Sequence, residues 1–95
     1  VVTAIVHIKT DVAQIPEVAQ TIAELEGVSE VYSITGDYDL LAMVRVPRYE
    51  QIAEVVPARL NKVPGVLHTE THIAFRAYSK HDLDAAFSIG LPDAD

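Results

Sequence analysis

The feature that most limits what this chain can fold into is a repeat. Displacing the sequence by 38 residues lays Val18 on Val56, Ile22 on Leu60 and Leu25 on Val63, and it lays Gly27-Val28 on Gly65-Val66. An apolar stripe at helical spacing, a glycine stop and an apolar restart therefore occur twice. Each occurrence follows a strand-like run. Thr3–Lys9 (TAIVHIK) alternates Ala4, Val6 and Ile8 with Ile5, His7 and Lys9. Asp39–Val46 alternates Leu40, Ala42 and Val44 with Leu41, Met43 and Arg45. Period two is the pattern of a strand with distinct faces.

The remaining elements fill in around these. Ile15, Val18, Ile22 and Leu25 make one helical stripe, with Pro16 suited to a first turn and Gly27 to a C-terminal stop. Val28–Thr35 reads as a second strand and Val66–Tyr78 as a long fourth. Arg48–Lys62 carries Ile52, Val56 and Leu60 at steps of four, which predicts a second helix. Pro57 lies inside it and is expected to bend it, because proline lacks the backbone donor. Pro64-Gly65 ends it. The result is two βαβ units in tandem, an α+β, ferredoxin-like βαββαβ plait. Its expected form is one antiparallel sheet in the order 4-1-3-2, with both helices on one face. Ser79-Lys80-His81-Asp82 reads as the N-cap of a short C-terminal helix ahead of a loose tail. A length of 95 residues implies one domain over 1–95, with its core at 3–78 and the helix and tail at 79–95.

Two helices on one face leave the other face bare. It would present Ile5, His7, Leu41, Met43, Arg45, His72, Ala74 and Arg76. Such a face is too apolar for water and too charged for a private core. Packing against the same face of a second copy resolves both, with Arg45, Arg76 and Glu70 pairing within or across the sheets, so a twofold dimer is expected. The 49% hydrophobic content points the same way, since a domain this small has little interior.

Composition removes several function classes. The formal net charge is −7, and the seven Lys and Arg are scattered. A nucleic-acid binder needs a basic patch to displace counterions from phosphates, so direct binding is not expected. With no cysteine there is no disulfide, thiolate metal site or cysteine nucleophile, which fits a cytoplasmic chain. No apolar run approaches the roughly 20 residues of a membrane helix. The first residues lack the n-region and cleavage site of a signal peptide, and a start at Val1 leaves room for a missing initiator Met or more.

His68 and His72 are four apart. On a strand they lie about 13 Å apart and cannot share one ion. His7 and His72 are expected as cross-strand neighbours on the dimer face, as interface imidazoles rather than metal ligands. No cofactor is expected. Asp37 and Asp39 would need a converging nucleophile or histidine to act as an acid/base pair, and the sequence offers none.

That leaves Gly36-Asp37-Tyr38-Asp39, between the second and third strands. Glycine and aspartate suit a turn. Two acids flanking a large aromatic repel each other, however, and suit a small zwitterion better than an empty hairpin. Loop amides could take a carboxylate, and an aspartate could take an ammonium.

This stretch carries a resemblance. "GVSEVYSITGDYDLLAMV" followed by "LNKVPGVLHTETHIAF" resembles the ligand-sensing domain of the Lrp/AsnC (feast/famine) transcription regulators. The Gly-Asp-Tyr-Asp loop is its most specific piece. The resemblance implies a non-enzymatic amino-acid-sensing module that dimerises through its sheets and assembles further into tetramers or octamers. It implies an effector between subunits, lined by Gly36, Asp37, Tyr38 and Asp39, with Thr69 and Thr71 as neighbours. Full-length members carry a helix-turn-helix ahead of this domain, for which there is no room before Thr3. Either a stand-alone sensing domain or a fragment of a longer regulator is therefore expected. The acidic balance and the C-terminal helix favour the stand-alone form, which could co-assemble with full-length relatives and change their response, or sense amino acids for another partner. Two other readings share the plait. A dimeric α+β-barrel monooxygenase or haem-handling protein would want a pocket lined by His, Asn or Trp, and the chain has no Trp. An ACT-like regulatory domain would bind after the first strand, often at a glycine, where "KTDVAQIPE" has none.

The charge argument sets a first test. At physiological salt and sub-micromolar protein, the chain should not retard a short random DNA duplex in a mobility-shift gel. Retardation would mean a basic patch hidden in the acidic total.

Overall fold

The computed structural model describes residues 1–78 and Lys80. Strand β1 (Val2–Thr10) leads through a 3-10 turn at Val12–Gln14 into helix α1 (Ile15–Ala23). Strands β2 (Val28–Ser33) and β3 (Leu40–Val46) follow, then helix α2 (Glu50–Val55), a 3-10 turn at Leu60–Lys62 and strand β4 (Val66–Ala74). All strands pair antiparallel in one sheet, in the order β2-β3-β1-β4. This is the expected 4-1-3-2 plait read from its other edge. The expected helix opening at Ser79 lies outside the described residues.

The alternation in β1 and β3 decides which face is covered. Ala4, Val6, Ile8, Leu40, Ala42 and Val44 are fully buried. Val18 and Ile22 of α1 close over them, with Ile52 and Val55 of α2. Each such Val, Leu or Ile taken out of water contributes about 1.5–3 kcal/mol. Helix α1 enters through Asp11, whose carboxylate accepts from the Ala13 N–H at 3.1 Å, and Pro16 sits in its first turn.

Several boundaries differ from expectation. Arg48–Lys62 is not one bent helix: α2 stops at Val55, and only a 3-10 turn resumes at Leu60. Pro57 has no N–H for the Ala53 carbonyl, and its ring crowds that carbonyl, so the helix breaks. The Asn61 N–H then bridges back to the Val56 carbonyl at 2.8 Å. The fourth strand ends at Ala74, not Tyr78. Its last pair with β1 is Ala74 with Thr3, one residue short of the start of β1 at Val2. Phe75 and Tyr78 are left 98% and 73% exposed. The second strand stops at Ser33 and the third starts at Leu40, because the chain between them is a loop.

The repeat has a structural counterpart. Gly27 and Gly65 both adopt positive φ, +95° and +98°, at the entry to β2 and β4. A Cβ on Gly27 would stand 2.7 Å from Cγ2 of Val55, on α2. A Cβ on Gly65 would stand 2.5 Å from Cγ2 of Val18, on α1. Each half of the chain thus supplies a glycine that seats the helix of the other half. Gly36 has φ +107° as well, but open space around it.

Gly65→Ala combines backbone strain with overpacking and should cost about 2–4 kcal/mol in urea denaturation. Gly36→Ala carries the strain alone and should cost about 1–2 kcal/mol. Equal losses would show that helix seating is not what Gly65 provides.

Candidate functional site

The loop from Ile34 to Asp39 is closed at its base by the Ile34 N–H donating to the Asp39 carbonyl at 3.0 Å. Thr35, Gly36 and Asp37 stand out exposed, with Gly36 turning the chain at positive φ. Asp39 fastens the loop to the end of β1. Its backbone N–H donates to the Ile8 carbonyl at 2.9 Å. Its carboxylate accepts from the Thr10 N–H at 3.0 Å and lies 3.8 Å from Lys9 Nζ. Asp39 thus lies in the loop as expected, with its carboxylate engaged by the fold. Asp37 differs. Its carbonyl accepts from Lys9 Nζ at 3.2 Å, and its carboxylate makes no hydrogen bond among the described residues.

Tyr38 leaves the loop in the other direction and lies across β1. Its hydroxyl donates to Glu70 Oε1 on β4 at 2.9 Å. Its ring lies 5.5 Å from that of His7 and stacks at 6.2 Å on His68. Glu70 Oε2 is 2.7 Å from His72 Nε2, and the His72 ring meets His7 edge-on at 5.7 Å. Strand register assembles this cluster. His7 faces Glu70 and Ile5 faces His72, so alternate residues of β1 and β4 share the open side of the sheet. Together His7, Thr35, Asp37, Tyr38, Glu70 and His72 line a cavity of about 430 Å³. Hydrogen bonds from Tyr38 and then His72 hold the Glu70 carboxyl below its ordinary range, so it is ionised at neutral pH. The same bond pushes the Tyr38 hydroxyl up.

Thr69 and Thr71 are not part of this cluster. They face Ile8 and Val6, on the helix side of the sheet, and the Thr69 hydroxyl donates to Asn61 Oδ1 at 2.8 Å. Within one chain the loop's tyrosine and the two threonines lie on opposite faces of β4. Glu70 and the arginines have partners within the single chain. Glu70 goes to Tyr38 and His72, Arg45 pairs with Glu30, and Arg76 lies over the Tyr78 ring at 5.9 Å. His7 and His72 are the cross-strand neighbours expected. No group of three or more His, Asp or Glu side chains among the described residues is placed to hold a metal ion. The Tyr38–Glu70 contact was beyond sequence reasoning, because it spans 32 positions and depends on the β1–β4 register. The one local signal was the in-phase spacing of His68, Glu70 and His72.

With this geometry in hand, comparison with known proteins is decisive. The sequence model of the Lrp/AsnC ligand binding domain matches residues 3–83. The chain belongs to that family. The regulator LysM of Sulfurisphaera tokodaii is 37% identical over 79 residues, covering 81% of this chain and 55% of that protein. The crystal structure of TTHA0845 from Thermus thermophilus superposes with a TM-score of 0.79 at 42% identity, covering 84% of this chain and all of that one. A Neisseria meningitidis regulator solved in complex with L-Met shares the fold, with a TM-score of 0.73 at 16% identity over 82% of this chain and 52% of that one. The chain spans between 39% and 55% of the length of the curated relatives it matches, which are helix-turn-helix-type transcriptional regulators. Neither the monooxygenase nor the ACT-like reading is favoured by these likenesses.

The two aspartates of the family loop should therefore behave differently. Asp39→Ala orphans the N–H of Thr10, a residue only 1% exposed, and should cost about 1–3 kcal/mol of stability. Asp37→Ala should leave the urea midpoint nearly unchanged. Matching midpoints for the two variants would remove the fastening role of Asp39.

Proposed function

We propose that this chain is a non-enzymatic amino-acid-sensing and assembly domain that modulates transcription regulators of its own family. The effector lies between subunits at the Gly36–Asp39 loop. What carries the reading is the state of that loop in a ligand-binding-domain family. The Gly36 amide and the Asp37 carboxylate stand exposed, on a turn fastened from below by Asp39 and from the side by Tyr38. Exposed amides suit a carboxylate and the aspartate suits an ammonium, the two ends of a free amino acid.

Thr69 and Thr71 enter this reading only through a second copy. They face away from Tyr38 within a chain, so an effector that meets both the loop and the threonines meets them from different copies. The open sheet face supplies the first contact, with Ile5, Leu41, Met43 and Ala74 half-buried and unpartnered in the single chain. Two such faces form a twofold dimer, and contacts at the loops extend it to a tetramer or octamer. Mixed assembly with longer, helix-turn-helix-bearing relatives would carry the effector's signal to DNA that this chain does not itself bind.

Light scattering in dilute neutral buffer should give at least a dimer, and Met43→Asp should weaken it by burying an unpaired charge. Thermal-shift screening of the common amino acids should raise the melting temperature for at least one. A wild-type monomer at micromolar concentration would sink the face argument. The absence of any shift or binding at millimolar amino acid would remove the sensing function.

A further inference from the structure

We propose that the outer edge of β4 is a second assembly surface, where the strand pairs antiparallel with β4 of another copy about a twofold axis at Thr71. This contact is separate from the packing of open faces and needs no effector. The sheet order leaves two edges, β2 and β4, with no strand beyond them among the described residues. The β2 edge is short and broken, with six residues and a register shift between Val28 and Glu30. The β4 edge is regular past the shift at its start: His68 to Ala74 pair one for one with Lys9 to Thr3. Over that length it holds no proline, lysine or bulge, the devices that blunt an exposed edge. Its one carboxylate, Glu70, is engaged by Tyr38 and His72 on the open face.

The direction of the backbone groups fixes the register. Ile8 turns its carbonyl towards β3, accepting from the Asp39 N–H at 2.9 Å. Neighbours along a strand point opposite ways, so Thr3, Ile5, His7 and Lys9 bond to β4, through their partners Ala74, His72, Glu70 and His68. The N–H and C=O groups of Thr69, Thr71 and Ile73 therefore point away from the sheet. A further strand must set outward residues opposite outward residues. An axis at Thr71 sets Thr71 opposite its own copy and Thr69 opposite Ile73 twice, so all three are bonded. It also sets each Glu70 opposite His72 of the other copy, in the pairs where side chains approach most closely. An axis at Glu70 would oppose two carboxylates there, which destabilises a sheet. Leu67 and Phe75, 67% and 98% exposed in the single chain, come level with each other across the Thr71 axis. The pairing uses backbone groups and leaves the Thr69 and Thr71 side chains on the helix side. Joined at this edge and packed at the open face, the copies form a closed tetramer of two widened sheets.

The chain has no cysteine, so single cysteines in the full chain report the register. Under mild oxidation Thr71→Cys should give a disulfide-linked dimer on a non-reducing gel, because directly opposed, bonded residues lie about 5.5 Å apart at Cα, within disulfide reach. Thr69→Cys and Ile73→Cys should each stay unlinked alone, each about 14 Å from its own copy. The same two variants refolded together should link. In the unmodified chain, the N–H groups of Thr69, Thr71 and Ile73 should exchange with deuterium about tenfold or more slowly than those of the exposed loop at Thr35–Asp37. Failure of Thr71→Cys to link, or linking of Thr69→Cys alone at the same rate, overturns the pairing; a dimer still seen by light scattering would then be the open-face one. Fast exchange at the three amides overturns it as well. Slow exchange in a monomer would put another part of the same chain on the edge, and would equally overturn it.

Discussion

Two close approaches hold this plait together. Val55 of α2 packs where a side chain on Gly27 would be, and Val18 of α1 packs where one on Gly65 would be. Because each glycine belongs to the opposite half from the helix it seats, neither half is complete without the other. The backbone follows the same logic. The Gly27 carbonyl accepts from the Arg45 N–H of β3, and the Gly65 carbonyl accepts from the Asp11 N–H just beyond β1, both at 2.9 Å. Both helices are thereby held on one side, over the alternate residues of β1 and β3.

Everything on the other side follows from that. The open face is left with half-buried apolar side chains near its middle and a polar cluster at the end where the loop lies. The loop reaches this cluster because two of its residues are tied in opposite directions: Asp39 down to Thr10, Tyr38 across to Glu70. Just ahead of those ties Gly36 and Asp37 remain exposed. The loop is closed at its base by the Ile34–Asp39 backbone bond and tied at its end by Tyr38 and Asp39, so little ordering is left for a ligand to impose.

The two faces of β4 divide the site. His68, Glu70 and His72 belong to the open side, while Thr69 and Thr71 belong to the helix side. As an edge strand, β4 is accessible from both directions, which suits a strand serving one copy through one face and a neighbour through the other. On the proposed function, assembly and effector binding would be parts of a single arrangement.

The repeat at 38 residues, the alternation in Thr3–Lys9 and Asp39–Val46, and the glycine stops were sufficient to specify the plait, its strand order and its bare face, because period two and period 3.6 are local properties of the chain. The family was legible from the Gly-Asp-Tyr-Asp loop for the same reason: its residues are contiguous. Tertiary structure decided what local pattern could not reach. Pro57 breaks the second helix rather than bending it: α2 stops at Val55, and Leu60, in the turn beyond, is packed into the core. Asp39 serves the fold, because Thr10 presents an N–H that is buried and otherwise orphaned. Glu70 joins the site, and Thr69 and Thr71 fall on the opposite face, because a register of strand pairing assigns every side chain of β4 to one side or the other. That register is set by contacts more than fifty residues apart, which no local window of sequence contains.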